Sequence, residues 1–516
     1  MLFNSELFIF IFLPIVLIGW FFINHLGLKA EADPKRSAFF FRMAEVFLLG
    51  MSFWFYGYFK LSYLGIMIIS ILVNFILSAL INQLEIKDLL TVFSRKAFLL
   101  FGVGFNLGLL FYFKYFDFFT ENMNALFHTN RLLRNILLPL GISFFTFQQL
   151  SFVIDRSLGK AKHYPFLQYA NFVTFFPQLI AGPIVLHDEL VPQLQDYSRR
   201  KPNADCFVKG LQQFVLGLGK KVLLADALAL VVNYGFEKVY YLDTLSALLV
   251  MLAYMFELYF DFSGYCDMAL GIGSMFNLTL PENFKSPYKA HSLNELWKRW
   301  HITLTRFFTT YVYYPLGGSR RGVLRTDINI FIVFLLSGLW HGANWTFVLW
   351  GISQGIVIVW DHERNRRRKL RQTSQPEQRH SFLYWFSWLA TFLYFMLSLV
   401  LFRSDNVTLA VEMYRRIFTP SWTGFVVELA GSLDIAELYI LVQAATMKAP
   451  AFVSYIHLAG FTLLMIISAF FIHGKNTEEI VSDRKLTNGY CLVLVIIAAW
   501  CIVSLSQAST FLYFNF

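Results

Sequence analysis

Charged side chains are few in this sequence. Asp, Glu, Lys and Arg make up 15% of its 516 residues, against about 25% in a soluble globular chain, and that shortfall excludes an ordinary water-soluble domain. Cysteine is equally sparse. Cys206, Cys266, Cys491 and Cys501 form no C-x-x-C pair, so neither a disulfide framework nor a zinc site is implied. Cys491 and Cys501 fall in the last apolar run and are read as packing residues. The Gly-Gly turn in Tyr314-Pro-Leu-Gly-Gly-Ser-Arg-Arg321 lacks the Gly-Lys-Ser/Thr ending of a phosphate loop. No nucleophile elbow is read, and a serine nucleophile is not indicated. There is no internal repeat or low-complexity tract, so an inverted-repeat transporter finds no support.

What the chain has instead is apolar surface. Hydrophobic residues make up 57%, with 59 Phe, and they gather into runs near the ~20 residues a bilayer requires. Spans are expected at about 7–24, 43–59, 61–82, 97–113, 208–233, 245–260, 381–402, 451–472 and 489–511. The first lacks a basic leader and a small-residue cleavage site, so it is read as a retained helix. Between 136 and 190, Pro139, Gly141, Pro177, Gly182 and Pro183 interrupt the pattern. Broken backbone at membrane depth is tolerated only where it is buried in protein or lines a cavity, so short or re-entrant helices around a chamber are expected there. The run 328–361 is too long for one untilted span, and Gly338, Gly342 and Asn344 place a bend or break beside His341. Residues 1–516 are read as a single membrane-embedded domain.

The formal charge of +10 does not signal nucleic acid. Membrane proteins collect Lys and Arg on cytoplasmic loops, and the stretch 364–379, with Arg364, Arg366, Arg367, Arg368, Lys369, Arg371 and Arg379, marks one such loop. Counting back puts Lys29, Lys35, Arg36 and Arg42 inside, then Lys87, Arg95 and Lys96. Counting forward puts 403–450 outside and Lys475 to Lys485 inside. Both termini are then extracytoplasmic.

Two segments carry chemistry. Phe334-Leu-Leu-Ser-Gly-Leu-Trp-His-Gly-Ala-Asn-Trp345 sets His341 inside an apolar run, where full charges cost about 2.5 kcal/mol or more and where even a neutral imidazole needs partners for its ring nitrogens. A core histidine bonded to a carbonyl is the bland alternative. Trp340, Asn344 and Trp345 at a glycine-rich break favour a site, because broken helix supplies free backbone groups. A neutral imidazole there accepts a proton from an attacking hydroxyl. Upstream, Trp297-Lys-Arg-Trp-His301 has the composition of a membrane-interface segment. As a site, Lys298 and Arg299 would meet the phosphates of an acyl-coenzyme donor, with Trp300 a further substrate contact, while His301 faces the reaction chamber. Asp261 and Asp267 lie in or beside an apolar run. Structural pairing with Arg or backbone donors competes there with substrate binding by Asp261, and no His stands at ligand spacing for a metal.

At these residues the chain resembles the membrane-bound O-acyltransferases, and within them the alginate O-acetyltransferase branch. The matching segments are 138–149, 175–184, 219–222, 259–271, 284–301, 313–320, 337–345 and the ending Phe511-Leu-Tyr-Phe-Asn-Phe516, in the same order over nearly the whole chain. The resemblance implies an all-α polytopic fold, a ring of tilted transmembrane helices with broken or re-entrant helices around a central funnel. It implies His341 as the catalytic histidine and His301 as the second functional one. Acetyl-CoA would be the cytoplasmic acyl donor, no cofactor would be permanently bound, and the location would be the bacterial inner membrane. Its members make the acyl group available outside for a cell-surface polymer, commonly with an extracytoplasmic SGNH-type acetyltransferase. Alginate is the polymer expected first, with peptidoglycan or cellulose acetylation as the alternative, and D-alanyl transfer to a teichoic-acid-like polymer, as in a relative, ranks lower. Expected partners are therefore that acetyltransferase or other polymer-modification subunits, membrane lipid and a polysaccharide acceptor. Residues 420–450 match no motif and are assigned to partner or polymer specificity. A channel has the same hydropathy but does not account for paired Trp-His motifs.

Overall fold

A computed structural model describes residues 1–370, 382–505 and 511–512. Arg371 and Arg379 of the basic stretch, and residues 381, 506–510 and 513–516 at the ends of expected spans and of the final motif, lie outside the described residues. The described residues are predominantly helical. Its first helices are α1 (Leu7–Lys29), α2 (Pro34–Gly57), α3 (Leu61–Ile86) and α4 (Val92–Phe127). Shorter helices follow, α5 (Ile142–Ser157), α6 (Phe166–Thr174), α7 (Phe176–Leu179) and α8 (His187–Gln195). Next come α9 (Ala204–Gly219), a π-helical turn Lys220–Ala225, α10 (Asp226–Glu237) and the long α11 (Thr244–Met275). The short α12 (Leu293–Trp297) and α13 (Ile302–Phe308) precede α14 (Val323–His341), α15 (Trp345–Leu370) and α16 (Phe382–Arg403). The chain continues through α17 (Val407–Phe418), α18 (Val426–Gly431), α19 (Ala436–Lys448), α20 (Val453–His473), α21 (Thr477–Asp483) and α22 (Asn488–Ser504).

Among the described residues, eight helices are long and apolar enough to cross a membrane. Two expected runs are helical but not among them: Lys209, Lys220, Lys221 and Asp226 interrupt the apolar surface of 208–233, and the described part of 489–511 is the 17-residue helix Asn488–Ser504. Boundaries follow local chemistry. Asp33 caps α2, accepting from the N–H groups of Lys35 at 3.0 Å and Arg36 at 3.2 Å ahead of a proline-led first turn. The proline- and glycine-broken stretch 136–190 forms the short helices α5 to α8, as its breaks imply. The expected interruption near His341 is also present: α14 stops at His341, Gly342 is extended, and α15 begins at Trp345.

The chain divides into two compact units, residues 1–215 with 265–282 and residues 216–264 with 283–516. In the first unit an aromatic cluster of Phe3, Phe8, Phe12, Phe55 and Phe176 fills the space beside α1 and α2. A buried amide ladder then ties three helices together. Asn106 donates to Asn74 Oδ1 at 2.7 Å, Asn74 to Gln149 Oε1 at 2.8 Å, and Gln149 to the Ser70 hydroxyl at 2.9 Å. In hydrocarbon such side-chain bonds hold helices where apolar contact gives no preference over lipid.

The second unit is organised by the α14–α15 hairpin. Its helices meet backbone to backbone at Gly338 and Gly351: a Cβ on Gly338 would fall 2.4 Å from Phe347 O and 2.8 Å from Gly351 Cα. Only glycine permits that approach. The unit has two ends. At one, Arg364 follows Asp361 on α15, the His291 ring meets Tyr384 near the start of α16, and Trp388 touches His473 at the foot of α20. At the other lie the 342–344 break, the end of α16 and the head of α20, joined by the Asn344 side chain donating to Asp405 O at 2.7 Å. Along α15, residues 345 to 364 cover roughly 28 Å at 1.5 Å per residue, close to the ~30 Å hydrocarbon thickness.

Candidate active site

His341 is the last residue of α14 and is buried. Its ring stands edge-on to Trp350 of α15 at 5.3 Å and to Phe402 of α16 at 5.0 Å, with Trp340 at 5.0 Å. Three helices thus build its pocket, and the Gly338–Gly351 contact sets how closely two of them approach. His301 reaches the same place from another direction. Its segment begins near the Arg364 end, where the Asn294 N–H faces Asp361 Oδ2 at 3.4 Å. It rises past the Trp297–Trp350 ring contact at 5.8 Å and ends with His301 against Trp340 at 5.9 Å. The two imidazoles, forty residues apart in sequence, therefore share one indole.

The conformation of His301 is unusual. It caps α13 with φ 46° and ψ 52°, the left-handed region that a side chain bearing Cβ seldom adopts. Strain of this kind persists where surrounding bonds over-determine it, and here Asn283 does so. Asn283 O accepts from the Ile302 N–H at 3.0 Å, while Asn283 Oδ1 accepts from the Thr303 N–H at 3.2 Å and the Thr303 hydroxyl at 2.9 Å. The same Oδ1 lies 3.2 Å from His301 Nδ1. A backbone N–H can only donate, so the atom it meets is an acceptor, and Nδ1 must carry the proton. His301 is thereby fixed as the Nδ1–H tautomer with its lone pair on Nε2. Burial beside Phe262 pushes its pKa down to about 3, so the ring is neutral at physiological pH. A neutral imidazole presenting Nε2 is a proton acceptor.

The other residues singled out from sequence fall into distinct settings. Trp340 lies between the histidines. Trp300 is buried in an aromatic wall, 5.0 Å from Phe284 and 5.4 Å from Phe395. Lys298 is exposed, and Arg299 pairs with Glu295 at 2.8 Å on its own segment. Asn344 caps α15 by accepting from the Thr346 N–H at 3.0 Å. Asp261 is buried, with Oδ1 accepting from Lys221 at 2.6 Å and Oδ2 from the Leu512 N–H at 3.0 Å. Lys221 also reaches Asp226 at 2.7 Å, so Asp261 belongs to a buried ionic triad that holds Leu512.

Sequence reasoning missed Asn283 and Lys221. It also passed over Gly351-Ile-Ser-Gln-Gly355, which has the G-x-S-x-G spacing. That string lies inside α15, where the Ser353 hydroxyl donates to Trp350 O at 2.8 Å. There is no strand-to-helix turn to expose the serine, so it is not a nucleophile elbow. No group of three or more His, Cys, Asp or Glu side chains able to hold a metal ion occurs among the described residues.

All-helical, with eight membrane-length apolar helices among its described residues and imidazoles held inside the second unit, the chain is a multi-pass membrane protein. It belongs to the membrane-bound O-acyltransferase family (MBOAT), which it matches over residues 50–404, and it is an O-acyltransferase. It is 34% identical over 550 aligned positions to the peptidoglycan O-acetyltransferase of Helicobacter pylori, covering 100% of this chain and 98% of that protein. It is 32% identical to the probable alginate O-acetylase AlgI of Pseudomonas putida, over 100% of both chains. A teichoic acid D-alanyltransferase of Bacillus subtilis is 26% identical over 44% of this chain and 59% of its own length.

Proposed function

We propose that this chain takes an acetyl group from cytoplasmic acetyl-CoA and relays it across the bacterial inner membrane for O-acetylation of a cell-surface polysaccharide. The observation that carries this reading is the pair of buried imidazoles on one indole at a helix break. His341 takes the proton of a hydroxyl presented by the extracytoplasmic partner, while that oxygen bonds to the thioester carbonyl and so becomes the acetyl ester. The C–S bond then breaks, and the thiolate leaves as coenzyme A thiol after gaining a proton. His301, neutral and with Nε2 as its acceptor, orients or assists from beside Trp340. The Arg364 end is the donor side, where Lys298 and Arg299 supply cationic charge toward the coenzyme phosphates, and the 342–344 end is the acceptor side. Both termini are extracytoplasmic in this orientation. Trp340 and Asn344 shape the pocket, and Asp261 acts through the segment it anchors.

Transfer onto the polymer is completed by an extracytoplasmic SGNH-type acetyltransferase. A two-carbon acyl group crosses an apolar passage far more cheaply than a polysaccharide hydroxyl, which would have to be desolvated. Relatives named for peptidoglycan and for alginate, both matching over the full chain, support acetyl transfer to a polysaccharide. The relative named for D-alanyl transfer matches less than half of the chain, which ranks that acyl group lower.

The test is His341→Ala, assayed in proteoliposomes for coenzyme A thiol release and for acetate on the polymer. The variant should insert and fold like the parent and lose both activities. Near-parental acetylation would sink the assignment. Polymer acetylation at full rate by the purified parent without an added partner would sink the relay.

A further inference from the structure

A cleft of about 1470 Å³ opens at the same end of the second unit as the 342–344 break. It exceeds the roughly 300–1,000 Å³ of a small-molecule pocket. One wall is a single stripe of α10 that includes Asn233, Tyr234 and Glu237; Phe425 and Glu428 stand opposite, and His457 of α20 closes the third side. The cleft is preformed. The Tyr234 hydroxyl donates to Glu428 Oε1 at 2.6 Å, and its ring stacks on Phe425 at 6.4 Å with 14° between planes. The backbone beneath is pinned from outside: Asp243 Oδ2 accepts from the N–H groups of Thr423 at 3.0 Å and Gly424 at 3.1 Å, with Gly424 at φ 77°. A wall tied down in this way loses little entropy when something binds.

We infer that this cleft binds a neutral, hydroxyl-rich glycan strand and holds it beside the acyl-transfer site. A sugar ring has an apolar C–H face and a rim of hydroxyls. Tyr234 and Phe425 offer flat apolar surface to the first. The carboxylates of Glu237 and Glu428 and the Asn233 amide offer hydrogen-bond partners to the second, and bonds to ionised acceptors are the stronger kind. Glu237 lies 3.6 Å from the Lys238 ammonium, which leaves Glu428 as the carboxylate that no lining cation offsets. It therefore repels a strand with one carboxylate per sugar, and like-charge juxtaposition is a strong means of rejecting a partner. Trp422 and Tyr241, 74% and 68% exposed, extend the aromatic surface outward. Aromatic rims also occur at membrane interfaces, but the paired carboxylates make lipid tails unfit for this lining. The cleft also lies close to His341. Arg403 donates to Asn233 Oδ1 at 2.9 Å, and the neighbouring Phe402 packs on the His341 ring.

This assignment names the class of strand held where the partner completes the transfer, and it rests on the function proposed above. The test uses the full chain in nanodiscs, with a β-1,4-linked N-acetylglucosamine tetramer and a uronic-acid tetramer as probes. The neutral tetramer should bind at least about tenfold more tightly than the uronate, and Tyr234→Ala with Glu428→Gln should abolish that difference while leaving coenzyme A thiol release at the parental rate. Equal binding by parent and variant, or preference for the uronate, overturns the proposal. So does a variant that keeps the neutral tetramer but no longer captures the extracytoplasmic acetyltransferase, because the cleft is then a protein dock. Absence of thiol release in the parent counts against acyl transfer alone and leaves the glycan measurement to be read on its own.

Discussion

Replacing Asn283 by alanine removes the oxygen that fixes the second histidine. Three donors converge on Asn283 Oδ1: His301 Nδ1, the Thr303 N–H and the Thr303 hydroxyl, at 3.2, 3.2 and 2.9 Å. Each hydrogen bond contributes about 0.5–1.5 kcal/mol net, so the loss of three should total about 1.5–4.5 kcal/mol of stability, raised further by donors left buried without an acceptor. If about 1.5–3 kcal/mol of the misplacement of His301 is felt in the transition state, turnover should fall roughly ten- to a hundredfold. Asn283→Asp separates position from stability. It keeps an acceptor oxygen in place and adds a negative charge that favours the imidazolium, raising the His301 pKa from about 3 toward its ordinary 6.5. In the parent, protonation of His301 should leave no acid limb in the pH–rate profile between pH 5 and 8. The Asp variant should lose activity as pH falls through the raised pKa and recover it in base. The assay is coenzyme A thiol release in proteoliposomes across that range, with thermal unfolding of the detergent-solubilised protein alongside. Parental turnover and stability in Asn283→Ala, or an unchanged pH profile in Asn283→Asp, would refute the pinning argument.

Three further outcomes follow from the geometry. Gly338→Val should separate α14 from α15, since its side chain begins 2.4 Å from Phe347 O; melting temperature and acetylation should both fall, whereas Gly104→Ala, with nothing within 4 Å, should cost little. Lys221→Met should strand the Asp226 and Asp261 carboxylates and lower stability by about 3–5 kcal/mol, read by thermal unfolding in detergent; no change would remove the triad from the account. In a cysteine-free background, Arg366→Cys should react with an impermeant thiol reagent only after lysis and Ser421→Cys in intact spheroplasts, and equal labelling of both in intact cells would contradict the orientation.

The long helices and the break at His341 were legible in the sequence because both are one-dimensional signals: apolar runs of bilayer length, and glycine with asparagine beside a histidine. The convergence of His301 and His341 on Trp340 was not, because it depends on how α12 climbs beside α15. Asn283 left no trace, since an isolated asparagine eighteen positions from its histidine matches no spacing rule and acts only through a left-handed turn. Trp300 looked like a ligand contact and is packed among Phe284, Phe395 and Tyr288, because aromatic density near basic residues is the same for a wall as for a pocket. Asp261 was recognised as a carboxylate needing a partner. Its partner, Lys221, comes from a π-helical turn forty residues earlier, which no helical periodicity indicates. Residues 420–432 carry no motif, and their role as a cleft wall comes from Asp243 gripping their backbone.

The break beside His341 and the arginines near residue 364 are carried on one helix without a proline or any other interruption between them. A strut of that kind has a fixed length. The interval it sets between the 342–344 break and the arginine end, roughly 28 Å at 1.5 Å per residue, does not change while the helix stays intact. If the relay proposed above holds, it is the acyl group, and not the spacing along α15, that has to do the moving.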